Sequence, residues 1–314
     1  MTSSPPQPQP GQGRIHCTAY GSKAIFKCLS AKYPLKFLSS QSHRDRVAIA
    51  YMLSYGGGML SDDRVIVDVD VDDNATLMLL TQGSTKIYKN KLQQQSIAGT
   101  ATSQEPTAAD RGAFQTLNVR VSPLATFLLL PDPVTCFRAS SYTQKQTFHV
   151  ASVDTGTLVV LDWYTSGRLL HGETWAFHKY ASRNDVYVAG KLVIRDSTLL
   201  EDENRTSPVN STGNSPTSYV ARLGPYTCFA TLILLGASLA DAVAAILVRF
   251  DEVSLQRTTR PRELMWTVSP VCRGGGVLVR VAGMETEAVR GFLKEGCLRG
   301  GLERLLGDTF ERVI

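Results

Sequence analysis

Hydrophobic and polar positions alternate in short runs over residues 24–194, and these runs are rich in Val, Ile, Thr, Tyr and Phe and separated by Gly, Asp, Asn, Ser and Pro. That punctuation predicts many strands joined by turns. The clearest is 65–72, VIVDVDVD, with Val65, Val67, Val69 and Val71 on one face and Asp68, Asp70 and Asp72 on the other. One face is expected to be core and the other wet or ligand-facing. Further strands are predicted at 77–80, 127–130, 147–150, 158–164 and 173–180, with a hairpin over 186–194 turning at Ala189, Gly190 and Lys191.

The last third changes period. Residues 226–248 form an apolar run that Gly236, Ser238 and Asp241 divide into a β-prone piece and an Ala-rich helical one, so a buried strand and helix are expected instead of a membrane span, which needs about 18–20 apolar residues in succession. A strand is predicted at 275–281. From 284 to 306 Val289, Phe292, Leu293, Leu298, Leu302, Leu305 and Leu306 recur at mostly three- and four-residue steps, the mark of an amphipathic helix. Its glycines cost about 1 kcal/mol each relative to Ala, so packing must hold it. The Pro- and Gln-rich residues 1–13 read as a disordered tail, and 14–314 as one domain interrupted by polar loops near 92–112 and 201–218 that cannot bury an apolar face.

With 314 residues, 43% of them hydrophobic, the chain can bury roughly three quarters of its unfolded surface. A net charge of +5 without basic runs argues against nucleic acid as a partner. Six cysteines without a C-x-x-C pair fit a reducing, cytoplasmic compartment.

No phosphate-binding Gly loop opens a helix, no G-x-S-x-G elbow occurs, and no His or Cys pair has zinc-ligand spacing. Gly56, Gly57 and Gly58 read as a tight turn. Asp68, Asp70 and Asp72 resemble the start of an EF-hand loop, but Asp73 and Leu79 stand where Gly and Glu are needed. The segment 166–173, SGRLLHGE, carries Arg168, His171 and Glu173 between apolar strands. On an extended backbone His171 and Glu173 face one side, and such side chains can bind Ni(II); alternatively Arg168 and Glu173 form a structural ion pair and His171 caps a turn. Asp132, between two prolines, reads as a turn residue, and Lys86 as an exposed edge-strand charge.

Four segments in this order, YGGGMLSDDRV (55–65), LLTQGSTKIYK (79–89), LLLPDPVTCFRAS (128–140) and SGRLLHGETWAF (166–177), make the chain resemble the urease accessory protein D family, also called UreD or UreH, and the polar insertions resemble those of eukaryotic, fungal members. The resemblance implies a mainly β fold, a β-helix-like stack of short strands with about two C-terminal helices. It also implies a non-enzymatic chaperone that binds urease apoprotein and a UreF-type partner, which recruits the GTPase UreG, and that conducts transient Ni(II) through an internal tunnel, with no tightly bound cofactor. By motif position Glu173 is expected to line the metal path, with Arg168, Thr81 and Lys86 as supporting residues and Asp63 after the Gly-rich turn. Asp62 replaces a common Gly and Cys136 a common Pro, adding two further candidates to a path set completed by His171 and Asp132. Two rival readings are a β-rich hydrolase using Asp132 and Glu173 as acid and base, which needs a carboxyl separation of about 5–9.5 Å, and a pure interaction module whose carboxylates only make ion pairs.

Overall fold

The computed structural model describes residues 9–40, 45–89, 112–201, 219–255 and 263–314, and their strands fall into two sheets. The insertions expected near 92–112 and 201–218 lie outside these residues except for Gly112 and Glu201, as do residues 1–8 of the expected tail. Strand β1 (Gln12–Tyr20) begins inside the stretch read as tail and forms an antiparallel hairpin with β2 (Lys23–Ala31). Strand β3 (Leu35–Ser40) then pairs antiparallel with β4 (Val47–Ser54).

From β4 onward the chain winds in coils. Each coil places one strand in the second sheet, a short strand in a connecting strip and one strand in the first sheet. The coils are β4, β5 (Gly58–Met59) and β6 (Arg64–Val71); β7 (Thr76–Thr81), β8 (Thr85–Ile87) and β9 (Ala113–Val121); and β10 (Thr126–Leu129), β11 (Val134–Cys136) and β12 (Ser141–Val150), followed by β13 (Thr157–Thr165) and β14 (Lys179–Val188). Successive coils stack in parallel, β6 on β9 on β12 on β14 and β4 on β7 on β10 on β13. This is the β-helix-like stack expected of the family. Strand β15 (Lys191–Glu201) closes the first sheet through the hairpin at Ala189 and Gly190.

After helix α1 (Tyr219–Leu223), the second sheet grows by antiparallel strands β16 (Cys228–Leu235), β17 (Leu264–Val271) and β18 (Gly276–Gly283), with helix α2 (Ala240–Leu255) between the first two. Helices α3 (Thr286–Gly291) and α4 (Arg299–Leu306) flank one π-helical stretch, Phe292–Leu298. Val289, Leu293, Leu298, Leu302 and Leu306 pack on the second sheet. Two of the helix's glycines allow close approach: a Cβ on Gly301 would stand 2.9 Å from Ala242 Cβ, and one on Gly296 2.8 Å from Arg249 Nη1.

The two sheets differ in environment, and their sequences differ accordingly. The second sheet is covered on both faces, so β7 and β10 read as continuous apolar runs. The first has a wet outer face, where Asp68 accepts from Asn118 Nδ2 at 2.9 Å and Asp70 pairs with Arg120 at 2.6 Å; the aspartates of 65–72 form a cross-strand polar ladder there. Three expectations need correction. The strand predicted at 173–180 begins only at Lys179, because Gly172 at φ +65° and Trp175 at φ +54° break the extended run. Residues 169–171 form a 3-10 turn, so His171 and Glu173 do not share a strand face. Lys86 is not on an edge: β8 lies between β5 and β11.

Candidate functional site

The SGRLLHGE segment folds back on itself. Arg168 grips Glu173 through two bonds, Nη2 to Oε1 and Nε to Oε2 (2.8 Å), while the Arg138 amide donates to Oε2 at 3.2 Å. The guanidinium also stacks 4.1 Å from the Phe137 ring centre. Glu173 is only 6% exposed, and the Arg168 bonds hold its carboxyl below the ordinary carboxylate value despite burial. His171 lies exposed on the turn and its backbone amide caps Arg168.

The Gly-rich turn places Gly56 at φ +81° and Gly57 at φ +73°, where only glycine is free of strain. Asp63 closes the next turn, its carboxylate accepting from the Leu60 amide at 2.7 Å; Asp62 is exposed at φ +71°. Cys136 is fully within the core, and burial pushes its thiol up to about 12. Lys86 points to solvent. Thr81 and Asp132 come together: the Asp132 amide donates to Thr81 Oγ1 at 2.8 Å, and the Asp132 carboxylate accepts from the Gly83 amide at 3.0 Å and from Arg290 Nη2 at 3.2 Å.

Thr81 and Asp132 also line, with Gln144, Gln146 and Asp162, a small cavity of about 20 Å³, room for about one water. Glu173 is not among its lining residues, and both its oxygens are engaged, so it does not form with Asp132 the acid and base pair of a hydrolase.

The cavity opens on a layer that the sequence motifs did not mark. In the first sheet Gln144 aligns with Gln115 and Ser182, Ser182 with Thr198, and the next rung sets Gln146 beside Asn184 and Asn184 beside Asp196. Opposite them in the second sheet, Asp162 aligns with Thr231 and Thr231 with Arg280. Asp162 is buried and accepts from Ser182 Oγ, Asn184 Nδ2 (2.7 Å), Gln144 Nε2 (3.2 Å) and Tyr180 OH (3.4 Å), all neutral donors. At the open end Arg280 Nη2 holds Asp196 Oδ1 at 2.6 Å beside a groove of about 300 Å³. A polar layer thus runs between the sheets from Asp132 to Asp196. Asp162 announced itself by one signal, a lone acid in the apolar run LVVLDWY. Among the described residues no three His, Cys, Asp or Glu side chains stand close enough to hold a metal together.

Burial raises the Asp162 carboxyl above its ordinary value of 3.8, assisted by the negative Asp196 and opposed by its hydrogen bonds. Between 3.8 and the raised value the folded state holds more protons than the unfolded one, so stability falls as pH rises through that window. Glu173 acts oppositely: its contribution is present above its unfolded value of 4.5 and is lost as pH falls through the lower folded value. In metal-free buffer, urea midpoints of the wild type are expected to fall as pH rises from 3.8 through the raised Asp162 value. Asp162→Asn flattens that fall and leaves the acid limb in place; parallel profiles for the two proteins would contradict this account.

Comparison with known proteins agrees with the fold and the motifs. The family model described as UreD urease accessory protein matches residues 9–309. Urease accessory protein 4 of Cryptococcus neoformans is 31% identical over 316 residues, covering 97% of this chain and 95% of its own. UreD of the bacterium Sorangium cellulosum is 33% identical over 298 residues, with 95% and 81% covered, and an uncharacterized ureD-like protein of Schizosaccharomyces pombe is 32% identical over 291, with 90% and 91% covered. These are accessory proteins of urease maturation and not enzymes, and the chain belongs to their family, the UreD urease accessory proteins.

Proposed function

We propose that the chain is both scaffold and conduit: it binds urease apoprotein and a UreF-type partner, receives Ni(II) that a UreG-type GTPase brings to that partner, and passes the ion along the polar layer between its two sheets. The observation that carries this reading is the continuity of buried polar side chains from the Asp132 cavity to the Asp196 and Arg280 groove. In a mainly apolar interior such a layer is costly unless water or a cation uses it. Oxygen donors from carboxylates and amides bind Ni(II) less tightly than imidazole or thiolate would, which suits an ion that must move on. The six free cysteines fit work in the cytoplasm, where thiols stay reduced. Among the described residues no helix is long and apolar enough to cross a membrane.

In this reading Glu173 shapes the wall near the path: its bond to the Arg138 amide and its grip on Arg168 fix the loop after β11. Asp132 stands at the mouth. Cells lacking their own D-type accessory protein, given the wild type or Asp132→Ala at matched expression and nickel supply, provide the test. The variant is expected to assemble with urease and its partners yet to lower urease activation about tenfold or more. Full activation by Asp132→Ala would reduce the protein to an interaction module.

A further inference from the structure

Parallel sheets are ordinarily covered on both faces, but the outer face of the first sheet is wet and its charge is unevenly spread. On β6 the acids are answered by their neighbours: Asp70 pairs with Arg14 and Arg120, and Asp68 accepts from Asn118. On β12, β14 and β15 the balance differs. Their outer positions bring Lys145, Arg183 and Arg195 around one acid, Asp185, with Lys145 beside Arg183 and Asp185 beside Arg195 in register. Asp185 is 2% exposed although it lies on the wet face, since the two arginines close over it. Arg183 Nε donates to Asp185 Oδ2 at 2.9 Å and Arg195 Nε to Oδ1 at 2.8 Å. Both bonds use Nε, so the Nη ends of the guanidiniums are not engaged on the carboxylate, and the two side chains are 43% and 48% exposed. Tyr187 takes up a further part of the hydrogen bonding of Arg195.

One buried carboxylate therefore fixes two arginines side by side, and with Lys145, which forms no ion pair among the described residues, two positive charges are left over. Exposed ion pairs contribute little to stability, so stability gives no reason for the second arginine. Guanidiniums held in place in this way recognise carboxylate or phosphate groups through parallel N–H bonds. The surroundings select among the anions. Arg183 and Arg195 stand on the open face of a sheet, whereas sites for small ligands are concave. A continuous polyanion fits no better: exposed Asp68 lies three strands from Arg183, roughly 14 Å, on the surface that such a polymer or an anionic membrane would cover. Separate carboxylates on a folded protein suit this mosaic, and Leu199, on the same face of β15 and 62% exposed, offers an apolar contact beside them. We propose that Arg183 and Arg195, set by Asp185 and joined by Lys145, form a docking clamp for carboxylate side chains of a protein partner in the urease-activating assembly. The inference rests on the reading of the chain as a scaffold and is independent of the conduit, because the clamp faces away from the polar layer.

The test is the affinity of the purified full chain for purified urease apoprotein and, separately, for its UreF-type partner, at low and at physiological chloride, for the wild type, Arg195→Lys and Lys145→Glu. Both variants are expected to bind at least one of the two proteins about tenfold more weakly than the wild type, with a flatter dependence on salt. Lysine at 195 keeps the charge but cannot hold Asp185 and present a fork at once. Glutamate at 145 breaks no bond of the fold and sets a carboxylate of the chain's own beside the clamp, so it guards against a loss that is only misfolding; urea midpoints measured alongside report the fold of each variant. Wild-type affinity for both proteins in both folded variants overturns the clamp and leaves the scaffold standing, whereas a wild type that binds neither protein overturns both. Inorganic phosphate is the remaining arm: phosphate binding that both variants lose while their protein affinities stay unchanged would make these arginines a small-anion site and overturn the docking surface.

Discussion

Replacing Leu302 with Asp is expected to abolish soluble, folded protein. Leu302 is 0% exposed and sits with Leu298, Leu306, Val289 and Leu293 on the outer face of the second sheet, above Trp163, Val279 and Val281. A carboxyl there is surrounded by aliphatic and aromatic side chains, and burying it costs a large share of the roughly 5–15 kcal/mol that holds an ordinary domain together. The helix cannot swing out to hydrate the charge cheaply. Its release would uncover the aliphatic face of β13, β16 and β18, a patch of the kind that drives aggregation. Leu302→Met conserves volume and apolarity and should cost less than about 1.5 kcal/mol. Soluble yield and urea unfolding of the two variants decide the matter: a Leu302→Asp protein that stays soluble with a wild-type midpoint would mean the C-terminal helices are an ornament on the sheet and not part of its core.

The elements whose environments are simple were legible in the sequence. VIVDVDVD alternates because its strand has one dry and one wet face, and β7, β10 and most of β13 are unbroken apolar runs because helices cover the second sheet's other face. The turn at Gly56 and Gly57 followed from glycine alone. The strands that build the passage were harder. In β12, Gln144 and Gln146 point inward where a core residue is expected, and in β14 Ser182 and Asn184 do the same. A period-two reading then finds no face that is clearly apolar, which is why only the last residues of β12, ending in Phe148 and Val150, stood out. The motifs located the neighbourhood of the site, since Thr81 and Asp132 do line the cavity. They did not identify its interior, because Asp162, Asn184 and Asp196 meet only through the register of strands far apart in the chain. Of the two readings open for Arg168 and Glu173, the ion pair is what the side chains form.

Trp163→Ala is expected to cost about 3–5 kcal/mol and to remove urease activation together with stability. The indole is 1% exposed and belongs to the cluster between the second sheet and the helices, so truncation leaves a large cavity that rigid strands cannot close. Its polar edge matters equally. Trp163 Nε1 donates to the Pro131 carbonyl at 2.8 Å, Arg290 lies 5.2 Å from the ring centre, and the same Arg290 holds Asp132. One side chain therefore connects strand β13, the loop at Pro131 and Asp132, and helix α3 in a closed circuit around the cavity mouth. Trp163→Phe keeps most of the apolar contact but cannot donate to Pro131, which predicts a smaller stability loss, about 1–2 kcal/mol, and a loss of activation larger than that stability change alone would bring. Urea midpoints measured beside urease activation at matched soluble protein distinguish the two contributions. If Trp163→Phe activates urease as the wild type does, the position of the Asp132 loop does not depend on the indole bond, and the role of Trp163 reduces to filling the core.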